Sequence, residues 1–211
     1  MLKDTIGGPS NMIPPLSSDS PASEVSASCH GAPIKYYQNF AVIPWAAEHF
    51  EVLDDGRLLR FARKPGIFWE DGVELTAADA KFTYKTMIDP RTPTAYAGDY
   101  KAIKAFRVTG RYAFEVEYEH PYPRSLSTWM SGIWPKHALE GQDLRTTPRS
   151  RKPLSCGPYL LTEWEAGSKL TLTANPRYFL GEPYVTRRIF RVIPDVTTMF
   201  LELKAGKLDL M

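Results

Sequence analysis

Two kinds of hydrophobic periodicity alternate along the chain, and together they predict a mixed α/β fold. Residues 113–118 alternate apolar and acidic side chains, with Phe114, Val116 and Tyr118 on one side, which is typical of a half-buried strand. The stretch after Thr76 instead places its apolar residues at helical spacing. Sheets and helices that alternate in this way are expected to pack in layers.

Turn and capping residues set the expected boundaries of these elements. Thr76 and Asp79 resemble a capping box in which Asp replaces the usual Glu. Ser20 is the predicted N-cap of the first helix, with Pro21 in its first turn and Gly31 as its stop. Strands are predicted over residues 57–64, 158–164, 169–174, 188–193 and 207–211, a hairpin over 108–118, and helices over 20–30, 76–90 and 195–205.

Composition narrows the class of protein. The 211 residues are 43% hydrophobic and 24% charged, which is ordinary for a soluble globular chain. The net charge is +2 and the basic residues are scattered, whereas nucleic-acid-binding proteins concentrate Lys and Arg in a dense stripe. We therefore expect no nucleic-acid partner.

The sequence contains no targeting signal that would decide in which compartment the protein acts. No apolar run approaches the roughly 20 residues that a transmembrane helix needs, and residues 1–4 open no apolar signal core. Either the protein is cytoplasmic, or a signal peptide that once preceded the chain has been removed.

The two cysteines, Cys29 and Cys156, fit no metal or redox spacing. A disulfide between them is possible in an oxidising compartment. Two separate buried thiols, each acting as a small apolar side chain, are the interpretation that we favour.

No catalytic or metal-binding pattern emerges from the sequence. The four histidines are isolated from one another, and no nucleophile elbow, P-loop or dinucleotide fingerprint occurs. Trp69 beside Glu70 and Asp71 is compatible with a sugar-cleaving site, but an aromatic residue before an acidic turn is the simpler interpretation. Trp129 and Trp134 are expected to pack in the core, with a role in lining a ligand site as the alternative.

Five stretches carry a resemblance to one family, in the family's order. Residues 68–72 and 75–84 are similar to its W-x-D-G and T-A-x-D-V-x-F-T-Y signature. Gly157-Pro158-Tyr159, followed by Trp164, Asn175 and Tyr178, is similar to its G-P-Y…W…N-x-x-Y segment. The remaining matches lie at residues 15–20, 44–52 and 193–210. The chain thus resembles solute-binding protein family 5, whose members carry peptides, dipeptides or nickel chelates for ABC importers.

The resemblance implies a fold and a division of the chain. Family members have two lobes of the type II periplasmic-binding-protein kind, and one lobe carries an inserted β-rich subdomain. Residues 1–43 and 151–211 are then expected to form the first lobe, and residues 44–150 the inserted subdomain. The second lobe is expected to lie after Met211. Ser155 and Cys156 depart from the family pattern, which usually has a Gly-Thr type pair there.

The resemblance also implies a function without catalysis. The expected ligand is a peptide or another small solute, and the expected partners are the membrane permease subunits of an ABC importer. The protein is expected to be a monomer without cofactor or metal, periplasmic or anchored to the membrane from outside. A hydrolase or transferase of unknown type, or a ligand-free interaction module, remain the alternatives.

Six residues are the candidate ligand contacts that the resemblance implies. Four of them precede or begin the first helix, where helix capping is an equally good explanation, one lies in the inserted subdomain and one in the wall of the cleft: Ser17, Ser18, Asp19, Ser20, Tyr96 and Cys156.

Overall fold

The structure is a computed structural model that describes residues 1–13, 16 and 19–211. The strands, in chain order, are β1 (Leu2–Ile6), β2 (Ile34–Tyr36), β3 (Val42–Pro44), β4 (Ala47–Leu53), β5 (Leu58–Arg63), β6 (Ile103–Gly110), β7 (Ala113–Tyr118), β8 (Tyr159–Glu165), β9 (Lys169–Ala174) and β10 (Arg187–Val192). The helices are α1 (Ser20–Cys29), α2 (Ala77–Ile88), α3 (Ala97–Lys101), α4 (Ser125–Thr128), α5 (Lys136–Leu139) and α6 (Val196–Lys204). The mixed α/β architecture is the one predicted.

Within the described residues, the strands form two four-stranded sheets and one short hairpin. The first sheet has the order β1-β10-β9-β8, in which β1 and β10 are parallel and the other neighbours antiparallel. The second sheet is antiparallel throughout, with the order β4-β5-β7-β6. Strands β2 and β3 pair to form the hairpin. In the chain they lie between β1 of the first sheet and β4 of the second.

The alternating pattern of β7 forms the two faces of the second sheet, as predicted. Phe114, Val116 and Tyr118 are each at most 2% exposed. The acidic residues point to the other face, where Arg60 Nε lies 2.8 Å from Glu115 Oε1 and pairs it across β5 and β7. The buried face carries the hydrophobic stabilisation, since exposed ion pairs contribute little.

Trp129 is at the centre of the core beneath this sheet. Its ring lies 5.2–5.9 Å, centroid to centroid, from four aromatic rings: Phe61, Tyr100, Phe106 and Phe114. Contacts of this kind add to the stabilisation from buried area. The core position that the sequence favoured for Trp129 is confirmed.

Helix α2 begins with the predicted capping box. Thr76 Oγ1 accepts a hydrogen bond from Ala78 N, and Asp79 Oδ2 accepts one from Thr76 N at 2.7 Å. The other oxygen of Asp79 accepts from Lys136 N at 2.8 Å. Asp79 therefore caps its own helix and also fastens the start of α5.

The predicted cap of α1 is wrong by one residue. Asp19, not Ser20, is the N-cap, because its carboxylate accepts a hydrogen bond from Ala22 N at 2.7 Å. The same carboxylate also accepts one from Ser10 Oγ, so it joins the helix to the loop after β1. Ser20 is the first helical residue and is exposed.

Residues 207–211 form no strand, contrary to the prediction. Asp209 N and Leu210 N both donate to a single acceptor, the carbonyl of Lys3 in β1. Lys3 N in turn donates to the Asp209 carboxylate at 2.6 Å. Because the contact converges on one residue, the segment lies beside β1 without forming a ladder.

The first helix ends against the segment that enters β8. Cys29 O, at the end of α1, accepts hydrogen bonds from Cys156 N at 3.0 Å and Gly157 N at 2.8 Å. These two amides satisfy a carbonyl that the helix itself leaves unpaired. The crossing brings the C-terminal end of α1 next to the second sheet.

Both cysteines are free and buried, as favoured from the sequence. Cys29 packs among the residues of the first sheet, and Cys156 among those of the second. The two thiols thus belong to different clusters, although the two backbones are hydrogen-bonded.

Candidate functional site

A cavity of about 360 Å³ lies where α1 meets α3 and α4. The lining residues come from α1 and the residues just after it, from the position after β3, from residues 87–100 and from residues 124–134: Ser23, Ser26, Ala27, His30, Ala32, Trp45, Met87, Tyr96, Asp99, Tyr100, Arg124, Ser127, Thr128, Met130, Ser131, Gly132 and Trp134. Aromatic walls with a few polar groups are typical of sites for small organic ligands. We therefore take this cavity as the candidate site.

A second cavity of about 390 Å³ lies at the far end of α2 and fits a ligand less well. Its charged residues are already paired in two turns, Asp89 with Arg91 and Asp143 with Arg145, at 2.7 and 2.9 Å. Among the described residues, Phe82 is the one aromatic side chain that lines it.

His30 forms the floor of the candidate site at the end of α1. Its Nδ1 lies 3.1 Å from both Ser26 Oγ and Ser26 O. Burial lowers the pKa of His30 to about 4, because the imidazolium would lose its hydration. A Cβ on Gly132 would lie 2.6 Å from His30 Cβ, so glycine is needed for the chain to pass this side chain.

Acid is expected to destabilise the fold through His30. The folded pKa of about 4 lies below the ordinary value of 6.5, so between these values the unfolded chain binds a proton that the folded chain does not. Stability is then full above pH 6.5 and falls as the pH drops towards 4. We expect a loss of about 2 kcal/mol between pH 7 and pH 5. Urea unfolding at both pH values measures it, and His30→Asn should remove most of the difference. Equal pH dependence in the two proteins would contradict the assignment.

Four aromatic residues line the cavity, namely Trp45, Tyr96, Tyr100 and Trp134. Trp45, which follows β3, donates from Nε1 to Tyr178 Oη at 2.6 Å. Trp134 N donates to Thr83 Oγ1 at 3.0 Å, so α2 holds this residue as well as the neighbouring Lys136. Tyr96, at the start of α3, is 41% exposed and can meet a ligand directly.

A pair of charged side chains also lines the cavity. Asp99 accepts a hydrogen bond from Tyr122 Oη at 2.5 Å and pairs with Arg124 Nη2 at 2.8 Å. The Asp99 carboxylate raises the pKa of Tyr122, which keeps the phenol protonated as a donor. The Arg124 side chain is 66% exposed, so the guanidinium borders the cavity with free donors towards solvent.

The structure separates the six sequence-predicted contacts. Tyr96 lines the cavity. Asp19 and Ser20 lie at the other end of α1 and do not line it. Ser17 and Ser18 lie outside the described residues.

Cys156 is placed in the core and not on an open wall. Its side chain is 1% exposed, and its Sγ accepts a hydrogen bond from Gly31 N at 3.3 Å. Burial raises the pKa of Cys156 to about 12. A thiol in this setting is a poor nucleophile.

The cavity also contains residues that sequence reasoning missed. His30, Asp99 and Arg124 lie outside the five family-like stretches, and Trp45, although it lies within residues 44–52, was not singled out; the four are far apart in the chain. The available signal was weak: Asp99 lies three residues after Tyr96, which a short helix places on the same face.

No group of His, Cys, Asp and Glu suited to a metal ion occurs among the described residues. The polar groups of the cavity, chiefly hydroxyls and one ion pair, can donate and accept hydrogen bonds. The arrangement is suited to holding a ligand that carries both polar and apolar groups.

Comparison with known proteins identifies the family. Residues 41–211 match the family described as bacterial extracellular solute-binding proteins, family 5 middle region. The chain belongs to this family. Its members are transport binding proteins, and the resemblance noted in the sequence is confirmed.

Two curated relatives within the family show how much of a protein the chain represents. The oligopeptide-binding protein AppA of Bacillus subtilis is 29% identical over 99% of this chain and 40% of its own length. Protein XP55 of Streptomyces lividans is 33% identical over 75% of this chain and 29% of its own length. The chain therefore spans well under half the length of these relatives.

Solved structures of family proteins have the same fold. The structure of AppA from Bacillus subtilis in complex with a nonapeptide superposes with a TM-score of 0.90 at 26% identity, over 99% of this chain and 42% of that one. NikZ of Campylobacter jejuni, in complex with Ni(L-His), also gives 0.90, at 24% identity, over 99% of this chain and 42% of its own. The predicted periplasmic-binding-protein-like fold is thus confirmed. Within the part of the chain that the structure describes, every helix is too short or too polar to cross a membrane.

Proposed function

We propose that the chain belongs to an extracytoplasmic protein that binds peptides, or another small solute, and delivers them to the membrane permease subunits of an ABC importer. The observation that carries this proposal is the aromatic cavity between α1 and the inserted elements, in a chain that shares its fold with peptide-bound AppA. The protein is proposed to act as a periplasmic or membrane-anchored monomer, without catalysis.

The chemistry of the cavity suits a peptide. Tyr96, which is 41% exposed, supplies apolar surface for a side chain. Asp99 and Arg124 supply both signs of charge at 2.8 Å from each other, so a ligand amide or terminus can exchange hydrogen bonds with the pair. Hydroxyls such as that of Ser127 allow water-mediated contacts, which permit broad specificity.

Closure is proposed to follow the family's two-lobed plan. Residues 1–43 and 151–211 would form the first lobe and residues 44–150 the inserted subdomain, with the ligand trapped against a second lobe by hinge motion. A cavity on one lobe contacts a single side of the ligand. We therefore expect the 211-residue chain by itself to bind peptides weakly, with a Kd above the micromolar range.

Tyr96→Ala is expected to weaken ligand binding about fivefold, because it removes the exposed ring from the cavity, which corresponds to about 1 kcal/mol. The isotopically labelled 211-residue chain is titrated with a mixed di- to hexapeptide library, and its amide chemical shifts are recorded by NMR during the titration. Shift changes are expected at α1, α3 and α4.

Tyr184→Ala is the matched control. Tyr184 is fully exposed and lines no part of the cavity, so its removal should leave the affinity unchanged. Shift changes confined to other surfaces, or equal effects of the two variants, would count against the cavity. Turnover of a substrate that is abolished by replacing Cys156 or one carboxylate would favour the enzyme alternative instead.

A further inference from the structure

The β2–β3 hairpin ends in a cluster of exposed aromatic side chains. Residues 36–41, here called the aromatic tip, are exposed in unbroken succession. Tyr36, Tyr37 and Phe40 are 54%, 58% and 84% exposed. Single exposed apolar residues are common on protein surfaces, but three within one five-residue stretch form a patch that calls for an explanation.

The fold holds this patch in a fixed shape. The register pairs Tyr36 with Val42, and Tyr37 N donates to Ala41 O at 2.8 Å, which closes the turn. Asn39 and Phe40 have φ of 56° and 59°. This left-handed conformation is unfavourable for a bulky side chain such as Phe.

The strained turn has a visible result. It turns the Phe40 ring outward against Tyr36, at 6.2 Å between centroids. A polar residue or glycine would adopt this turn more easily and would leave no apolar surface in water. Phe40 thus combines two unfavourable features, a left-handed backbone conformation and an aromatic ring exposed to water.

The tip itself is uncharged, and the charge at the base of the hairpin is positive. Residues 31–47 contain one lysine, Lys35, and neither Asp nor Glu. Lys35 Nζ lies over the Trp45 ring at 5.3 Å, and Lys64 Nζ donates to Trp45 O at 3.3 Å, so two ammonium groups flank the base of the hairpin. A partner surface is thus expected to be apolar with negative charges at its edge.

We propose that the aromatic tip inserts into the interface of a lipid bilayer that contains anionic headgroups. Aromatic rings with a polar end are favoured at the boundary between headgroups and acyl chains, and nearby lysines are attracted to anionic lipid. A six-residue tip is too small to supply the roughly 800 Å² per partner of a standard protein interface. A bilayer, in contrast, accepts a few side chains at a time.

Binding of the 211-residue chain to large unilamellar vesicles tests the proposal. The native cysteines are buried, so a Gln38→Cys variant can carry a polarity-sensitive fluorophore at the tip. Binding to vesicles of phosphatidylcholine with phosphatidylglycerol should shift the emission of the fluorophore to the blue. The protein should also sediment together with the vesicles. The triple variant Tyr36→Ser, Tyr37→Ser, Phe40→Ser should lower the partition coefficient at least tenfold. Lys35→Gln should lower it about fivefold on anionic vesicles and leave it unchanged on pure phosphatidylcholine.

Tyr184→Ser is the control, since it removes one fully exposed aromatic residue elsewhere, and it should partition like the wild type. Circular dichroism verifies that the variants remain folded. Absence of partitioning, or equal partitioning of the triple variant, would overturn the proposal. A dimer that forms without lipid and disappears in the triple variant would assign the tip to a second copy of the chain instead. No ligand is used, so the outcome is independent of the proposed transport function.

Discussion

Gly157→Ala is expected to destabilise the protein by about 4 kcal/mol, since overpacking against a rigid backbone costs more than the usual 1–3 kcal/mol. A Cβ at this position would lie 2.8 Å from the carbonyl carbon of Cys29 and 2.9 Å from the carbonyl oxygens of Cys29 and Ser28. All three atoms belong to the backbone at the end of α1, so no flexible side chain can move aside. The variant must separate α1 from the segment that enters β8.

The same separation would remove hydrogen bonds. Cys156 N and Gly157 N both donate to Cys29 O, and Asn175 Nδ2 donates to Gly157 O at 2.9 Å. Buried groups that lose their partners each cost about 1–3 kcal/mol. Because His30 follows α1 directly, displacement of this helix end should also distort the candidate site.

Gly98→Ala provides the comparison for this prediction. Gly98 lies in α3, and a Cβ there would meet no atom within 4 Å. Alanine favours a helix over glycine by up to about 1 kcal/mol, so this variant should be neutral or slightly more stable. Urea unfolding followed by Trp fluorescence measures both. Gly157→Ala with the stability of the wild type would show that the close approach of the two backbones is not required.

Local signals predicted β7 and the start of α2 because each depends on neighbouring residues, whereas the strand predicted over residues 207–211 does not form. Alternation over residues 113–118 predicted β7, and the spacing of Thr76 and Asp79 predicted the start of α2. A hydrogen bond between a side chain and a backbone amide three residues away leaves its signature in one short stretch of sequence. The N-cap of α1 was misplaced because Asp19 and Ser20 are both good caps, and the contact of Asp19 with Ser10 decides between them.

Of the residues that line the cavity, sequence reasoning had offered Tyr96 as a ligand contact and Trp134 as an alternative one. Tyr96 was suggested by its likeness to an aromatic residue of the family, whereas Trp45, His30 and Arg124 meet only through the packing of α1 against α3 and α4. Cys156 illustrates the converse: its position in the family pattern suggested a cleft wall, but the crossing with Cys29 buries it. Contacts between residues distant in the chain have no local period, so sequence patterns do not reveal them.

The acidic residue of the capping box has a second role that its spacing did not indicate. Asp79 is 4% exposed, and its two oxygens accept hydrogen bonds from Thr76 N and Lys136 N. Asp79→Ala should therefore destabilise the fold by about 3 kcal/mol, the sum of one lost cap and of the partners left unpaired in the interior. An ordinary helix cap costs only about 1 kcal/mol.

Asp195→Ala separates these two contributions. Asp195 caps α6 through Thr198 N at 2.7 Å, but it is exposed and holds no second segment. Its loss should cost about 1 kcal/mol. The difference between the variants, measured by urea unfolding, then gives the contribution of the bond to Lys136. That bond fixes the chain next to Trp134. The folded fraction of Asp79→Ala should therefore bind peptides more weakly than the wild type, whereas Asp195→Ala should bind them equally well. Equal costs for the two substitutions would mean that Asp79 acts as a cap alone, and that the wall of the cavity is held by its own packing.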